Sequence, residues 1–361
     1  MQIVSQSSFR GSLAHRIRQQ FFYSVPASIV TIVALAVIVL VVVRLFSWGV
    51  LHAVTAPDAE ACRAAGGACW GFVTEKWRLI LFGRYPYEQQ WRAGLATLLV
   101  IMLLIASAFP ATWRKPYSKY LLWAWGVGLV AFFSLMQGGV FGLSHVTTDL
   151  WGGFPLTVLL TLFGMGVSIP IGIVLAIGRR SSMPIVSGVA TGYIELVRGV
   201  PLITVLFMST FIFPLLLPAG VRLDAFWRVT VGIILFQAAY IAETVRGGIQ
   251  TIPAGQFNAA ASLGLTKPQV YAYVILPQAL VAVIPAFINS LLSCFMDTSL
   301  VTVVSMTDLT GGLKLALGDA RWRSFFVEGY VFIAVIYFVC SFIISRYSLW
   351  LEGYLGGNKR R

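Results

Sequence analysis

The sequence predicts an all-α fold, a polytopic membrane bundle of about eight transmembrane helices. Of 361 residues, 58% are hydrophobic and only 11% are charged, with a mean hydropathy of +0.85. Soluble domains carry about 45–50% apolar and about 25% charged residues. The apolar residues collect into stretches close to the ~20 residues that a spanning helix needs. The basic residues behind the net charge of +13 sit in short segments between those stretches. That is how membrane topology is written, whereas a nucleic-acid surface would show them clustered as a patch, so no nucleic-acid partner is expected.

The first span, 25–43, is apolar throughout ("VPASIVTIVALAVIVLVVV"). It is too long for a signal-peptide core and no small-residue cleavage site follows, so it reads as a retained helix. Spans 93–109 and 121–141 follow, separated by the basic loop "WRKPYSK". Span 154–178 contains Pro170, which can kink it, and Gly164 and Gly166, which permit close helix contact. Span 201–217 starts at Pro201. Span 228–246 is the weakest, interrupted by Gln237, Glu243 and Arg246. Span 278–297 contains Pro285 and frays at Asp297, Thr298 and Ser299; the last span is 326–346. Trp48, Trp77, Trp91, Trp113, Trp151, Trp227, Trp322 and Trp350 fall near span ends, as interfacial belts require.

An even number of spans puts both termini on one side. With that side cytoplasmic, Arg10, Arg16, Arg18, Arg114, Lys115, Lys119, Arg179, Arg180, Arg198, Arg246, Lys267, Arg346 and the terminal "NKRR" lie inside. Only Glu195, Glu243 and Glu352 oppose them there, and most acids, including Asp58, Glu60, Asp149, Asp224, Asp308 and Asp319, lie outside. Cys62 and Cys69 then face an oxidising compartment, where "CRAAGGAC" either closes as a disulfide or holds two unpaired thiols. Cys294 and Cys340 lie in spans and read as small packing residues. Neither the cysteines nor the scattered His15, His52 and His145 suggest a metal site.

Residues 250–277 leave the bilayer on the cytoplasmic side. Pro253 precedes "AGQFNAAAS", a good short helix by propensity. Gly264 suits a left-handed stop. Thr266 and Gln269 match a capping box with Pro268 in the first turn, and Leu276-Pro277 is expected to end this second helix. Its Tyr271, Tyr273, Val270, Val274 and Ile275 offer contact anchors. Either a docking element or an interfacial linker fits these residues, although a linker does not need two separately terminated helices.

This stretch resembles the EAA loop of ABC importer permeases: Ala259, Ala260, Gly264, Leu276 and Pro277 match at the family spacing, with Asn258 in place of the leading Glu. "GYIELVRGVPLITVLF" (192–207), "AYIAETVRGGIQTIPAGQ" (239–256) and "DTSLVTVV" (297–304) are similar to further segments of polar amino-acid permeases, in family order. The resemblance covers about 150–355 and implies a type I importer permease core at 151–361 with five spans. Residues 1–150 form an extension with about three spans, and "FGRYP" (82–86) resembles the longer general L-amino-acid and glutamate/glutamine permeases.

What the resemblance implies is a permease subunit of an ATP-driven amino-acid importer in the bacterial inner membrane. Its partners would be a separate ATPase carrying ATP and Mg, a second homologous permease, a periplasmic amino-acid-binding protein and membrane lipid. Asn258, Ala259, Ala260, Gly264, Leu276 and Pro277 would couple to the ATPase. The chain has no phosphate-binding G-x-x-x-x-G-K-[ST] loop, so no cofactor and no enzymatic activity of its own are expected.

Polar residues in spans are costly and therefore functional suspects. Gln237, Asn289, Asp297 and Thr298 are candidates for the substrate path, Asp297 equally for outer-surface exposure or a helix cap. Glu195 with Arg198, and Glu243 with Arg246, are spaced to pair along a helix as structural braces. An ion-coupled secondary amino-acid transporter is the alternative function, but it needs a path of intramembrane ionisable groups that the chain scarcely offers. A membrane enzyme needs a nucleophile–base or metal set, and none is evident.

Overall fold

The computed structural model describes residues 20–218 and 220–357. His15 and the terminal bases Arg10, Arg16, Arg18, Lys359, Arg360 and Arg361 lie outside the described residues. Contacts divide the chain into two compact units, Met1–Glu75 and Lys76–Arg361. This division falls earlier than the 150/151 boundary drawn from the motifs.

The first unit holds helix α1 (Val25–Phe46), in which no residue is buried. An apolar helix with no protein around it is what a bilayer stabilises. Ser24 caps it, accepting from the Ala27 N–H at 3.3 Å. Asp58 caps α2 (Ala59–Ala65) through the Glu60 N–H at 2.9 Å, and Gly66 ends it in the left-handed region. A disulfide joins Cys62 to Cys69 with their Cα atoms 5.4 Å apart. Helix α3 (Trp70–Phe82) straddles the division between the units.

The second unit contains α4 (Gln90–Ala108), α5 (Tyr117–Gln137), α6 (Gly153–Arg179), α7 (Pro184–Arg198), α8 (Leu202–Phe207), α9 (Ala225–Gln250), α10 (Ala254–Ser262), α11 (Leu276–Asp297), α12 (Leu309–Ala316) and α13 (Phe326–Gly357). Helices α4 and α5 form an antiparallel hairpin, and α6 and α9 form the centre, with α7 and α11 against them. Close approach here needs small residues. A Cβ on Gly164 would stand 2.7 Å from Ile233 Cγ2, and one on Gly172 2.5 Å from Ile241 Cγ2. Gly166, expected to do the same, faces open space. The Ser168 hydroxyl donates to the Ile234 carbonyl at 2.9 Å, fastening α6 to α9.

Among the described residues, seven helices are long and apolar enough to cross a membrane, and up to eight if a bent pair forms one span. That pair corrects the reading of 201–217 as a span by itself, since it passes only together with the helix before it. Pro184–Arg198 and Leu202–Leu216 meet at 108°, because Gly199 and the donorless Pro201 stop α7 and restart the chain. The second arm is α-helical to Phe207, then a π turn (Met208–Ile212) and a 3-10 turn (Phe213–Leu216). A second correction concerns Leu276-Pro277, which does not end its helix. The chain stays helical from Lys267 to Val304. Pro277 cannot donate, and the preceding turn widens into a π segment (Val270–Ile275), with the Leu276 N–H reaching back to the Tyr271 carbonyl. A third concerns the tryptophan belt: Trp151 and Trp322 are fully buried core residues, Trp151 packing on Phe226 at 5.4 Å.

Candidate functional site

The segment after α9 leaves the bundle as expected from its residues. Pro253 precedes α10, and Gly264 at φ +77° lets the chain reverse. The Gln269 side chain accepts from the Thr266 N–H at 2.9 Å and starts the next turn. Ala260 is buried against the bundle, whereas Asn258, Ala259 and Gly264 are exposed. Phe257 and Tyr271 meet edge-on at 6.1 Å, and Gln278 donates to Gln256 at 3.3 Å, so the two helices brace each other. Leu276 is half-buried and Pro277 exposed. Of the anchors expected on the second helix, Val270 and Ile275 face inward. The apolar groups presented outward are Leu263, 81% exposed, and Tyr273, 72% exposed.

Behind this element lies an ion cluster joining the ends of α6, α7 and α9. Glu243 is its centre. Arg246 grips both carboxylate oxygens, Nε standing 3.0 Å from each, and Arg179 Nη1 approaches at 3.3 Å and Arg198 Nη1 at 3.6 Å. Glu195 does not pair with Arg198. Its Oε1 takes Arg179 Nη2 at 2.7 Å, because the neighbouring helix end offers a guanidinium closer than the next turn of α7 does. Arg198 also lies over the Tyr240 ring at 5.8 Å. A cleft of about 530 Å³ opens beside the cluster, lined by Arg179, Arg180, Arg246, Gln250, Phe257 and Asn258 among others.

The four substrate-path candidates are placed differently from one another. Gln237 is buried in α9, and Thr298 is buried with its hydroxyl donating to the Phe295 carbonyl at 2.7 Å. Asp297 is half-buried at the end of α11 and makes no side-chain cap to the turn that follows; Asn289 is exposed on α11. None of them lines the 530 Å³ cleft. Among the described residues no group of three or more His, Cys, Asp or Glu is placed to hold a metal ion.

Two buried polar centres escaped the sequence reading. Asp308, counted only as an outside acid, is fully buried at the start of α12. It accepts from the Gly311 N–H at 2.9 Å, the Thr310 N–H at 3.1 Å and the Tyr337 hydroxyl at 3.4 Å. Burial pushes its carboxyl above the usual range despite these donors. The sequence signal available was an Asp just before "LTGG", an N-cap pattern. The other centre is Arg92, which donates to the Tyr85 hydroxyl and the Ser144 carbonyl, both at 3.1 Å, and to the Gln89 side chain. Tyr85, from "FGRYP", in turn donates to the Met136 carbonyl at 2.8 Å.

A close-packed helical bundle with a broken span and an exposed helix–glycine–helix element on one end defines a polytopic membrane transport component. The chain belongs to the family of binding-protein-dependent transport system inner membrane components, whose pattern matches residues 168–353. It is 41% identical over 339 residues to the inner membrane amino-acid ABC transporter permease protein YhdY of Escherichia coli strain K12, covering 93% of this chain and 91% of that one. It is 35% identical to the glutamate/glutamine/aspartate/asparagine transport system permease protein BztC of Rhodobacter capsulatus, covering 84% of each. A crystal structure of an amino acid ABC transporter with histidines superposes with a TM-score of 0.50 at 31% identity, covering 55% of this chain and 91% of that one. These relatives place the chain among inner-membrane proteins.

Proposed function

We propose that this chain is the transmembrane permease subunit of an ATP-driven amino-acid importer. It forms a translocation path by alternating access and takes its driving motion from a separate ATPase through residues 250–277. The observation that carries the reading is the exposed α10–Gly264–Thr266 element. It presents Leu263 and Tyr273 to a partner while Ala260, Val270 and Ile275 root it in the bundle. A force applied at α10 reaches the ends of α6, α7 and α9 through the Glu243 cluster, which ties those three helices together. The 108° bend is the kind of broken helix that lines substrate paths in transporters.

On this reading ATP and Mg are bound by the ATPase, a periplasmic binding protein delivers the amino acid, and a second, related permease completes the path. Both termini face the cytoplasm. An ion-coupled mechanism has no observation in its favour: Glu243, an ionisable group within a span, is held by arginines as a brace.

The test is purification from native membranes followed by reconstitution in proteoliposomes with the binding protein outside. The expected outcome is a co-purifying ATPase and uptake of labelled amino acids that requires ATP inside. Uptake driven by a proton or sodium gradient with no ATPase present would refute the proposal.

A further inference from the structure

We propose that the cleft beside α10 receives a carboxylate from an acidic side chain of the ATPase subunit. This rests on the coupling role proposed above. Three of the groups lining the cleft are Arg179, Arg180 and Arg246, and no acid lines it. The acids nearby are already taken. Glu243 is held by Arg179, Arg198 and Arg246, and Glu195 by Arg179. With Arg180, four arginines face two glutamates, and Arg180 is exposed and makes no ion pair among the described residues. A surplus of positive charge lining a cleft favours an anion.

Position 258 decides where that anion comes from. In the EAA pattern a carboxylate stands there, and on this backbone that position lies in the wall of the cleft that the arginines line. Here the wall carries Asn258, exposed and uncharged, and the cleft stays cationic. One wall is α10, so a protein that grips α10 covers the mouth and brings its own side chains to the arginines. A lipid headgroup would have to share the mouth with that protein.

The experiment uses the assembled permease in phosphatidylcholine nanodiscs, titrated with the ATPase that co-purifies with the wild type. Binding of the wild type should weaken as salt is raised. Arg180→Glu should raise the dissociation constant about tenfold at low salt, as expected for reversing one charge in a half-desolvated contact. Asn258→Glu should weaken binding in the same direction, although it restores the pattern. If Arg180→Glu yields no monodisperse permease, Arg180→Gln is measured instead, with about a threefold loss expected. Tighter binding by Asn258→Glu, or unchanged binding by the Arg180 variants, overturns the proposal. So does retention of phosphatidylglycerol by the wild type that Arg180→Glu abolishes while ATPase affinity stays the same. If the wild type binds no ATPase at all, the coupling reading itself fails, which separates that failure from this one.

Discussion

Arg92 is 1% exposed, and among the described residues its partners are a phenol, a carbonyl and an amide, with no carboxylate. Its Nε has no hydrogen-bond partner among the described residues. A buried guanidinium is tolerated only where several acceptors share it, and removing it orphans those acceptors. It collects the Tyr85 turn, the start of α4 and the loop after α5 into one network. We expect Arg92→Met, which keeps most of the volume, to cost about 2–3 kcal/mol, because the Ser144 carbonyl and the Gln89 side chain lose a donor. Tyr85→Phe should cost about 1 kcal/mol through loss of the bond to the Met136 carbonyl. Thermal unfolding of the detergent-purified chain reads both; an Arg92→Met melting temperature equal to wild type would show that the network carries no net stability. This network was not legible in the sequence. Tyr85 and Met136 lie 51 positions apart, and nothing local in "FGRYP" says where its hydroxyl goes. Asp308 was legible only as a cap, since its burial depends on distant helices: Tyr337 donates to it, and Thr157 accepts from the N–H of the next residue, Leu309. The converse holds for Glu195 and Arg198, where spacing along one helix suggested a pair and a neighbouring helix end supplied a better partner.

Elements were more legible where chain chemistry is local. Pro253, Gly264 and the Thr266–Gln269 cap each act through their own backbone and marked the helix–glycine–helix element correctly. Pro201 was legible as a possible kink but not the size of its bend, and the π turn before Pro277 was not legible, because whether a proline stops a helix or is absorbed by a wider turn depends on the packing around it. Gly264 permits a sharp test at this scale. Its φ is +77°, and a Cβ there would meet nothing within 4 Å. The cost of Gly264→Val is therefore backbone strain alone, about 1–2 kcal/mol, and it falls on an exposed turn outside the spans. The variant should fold and insert, but the angle between α10 and the helix that starts at Lys267 should relax. ATP hydrolysis by the complex should persist while uptake per ATP falls several-fold; Gly264→Ala should fall between. Full uptake with Gly264→Val would mean that the angle between the two helices does not transmit force.

At the scale of the whole molecule, one count governs sidedness. If the bent pair Pro184–Arg198 and Leu202–Leu216 crosses once, the described residues make eight crossings and their two ends share a side; if it does not cross, they make seven and the ends do not. Charge argues for eight. With eight, Arg114, Lys115 and Lys119 fall on the same face as Arg179, Arg180, Arg198, Arg246, Lys267 and Arg346, as the positive-inside rule asks. With seven, the sign of the bias would have to change along the chain. The disulfide is a separate constraint. Cys62–Cys69 follows the first span and precedes the second, and a disulfide persists in an oxidising compartment. The proposed orientation meets both requirements: termini and the helix–glycine–helix element in the cytoplasm, cysteine loop outside. Leu263, 81% exposed at the tip of the coupling element, reports on this directly. In intact cells an impermeant maleimide should leave Leu263→Cys unlabelled until the membrane is opened. After an impermeant reductant the same reagent should label Cys62 and Cys69 without opening it. Labelling of Leu263→Cys from outside would place the element beyond the reach of any ATPase, and with it would go both the drive and the docking contact.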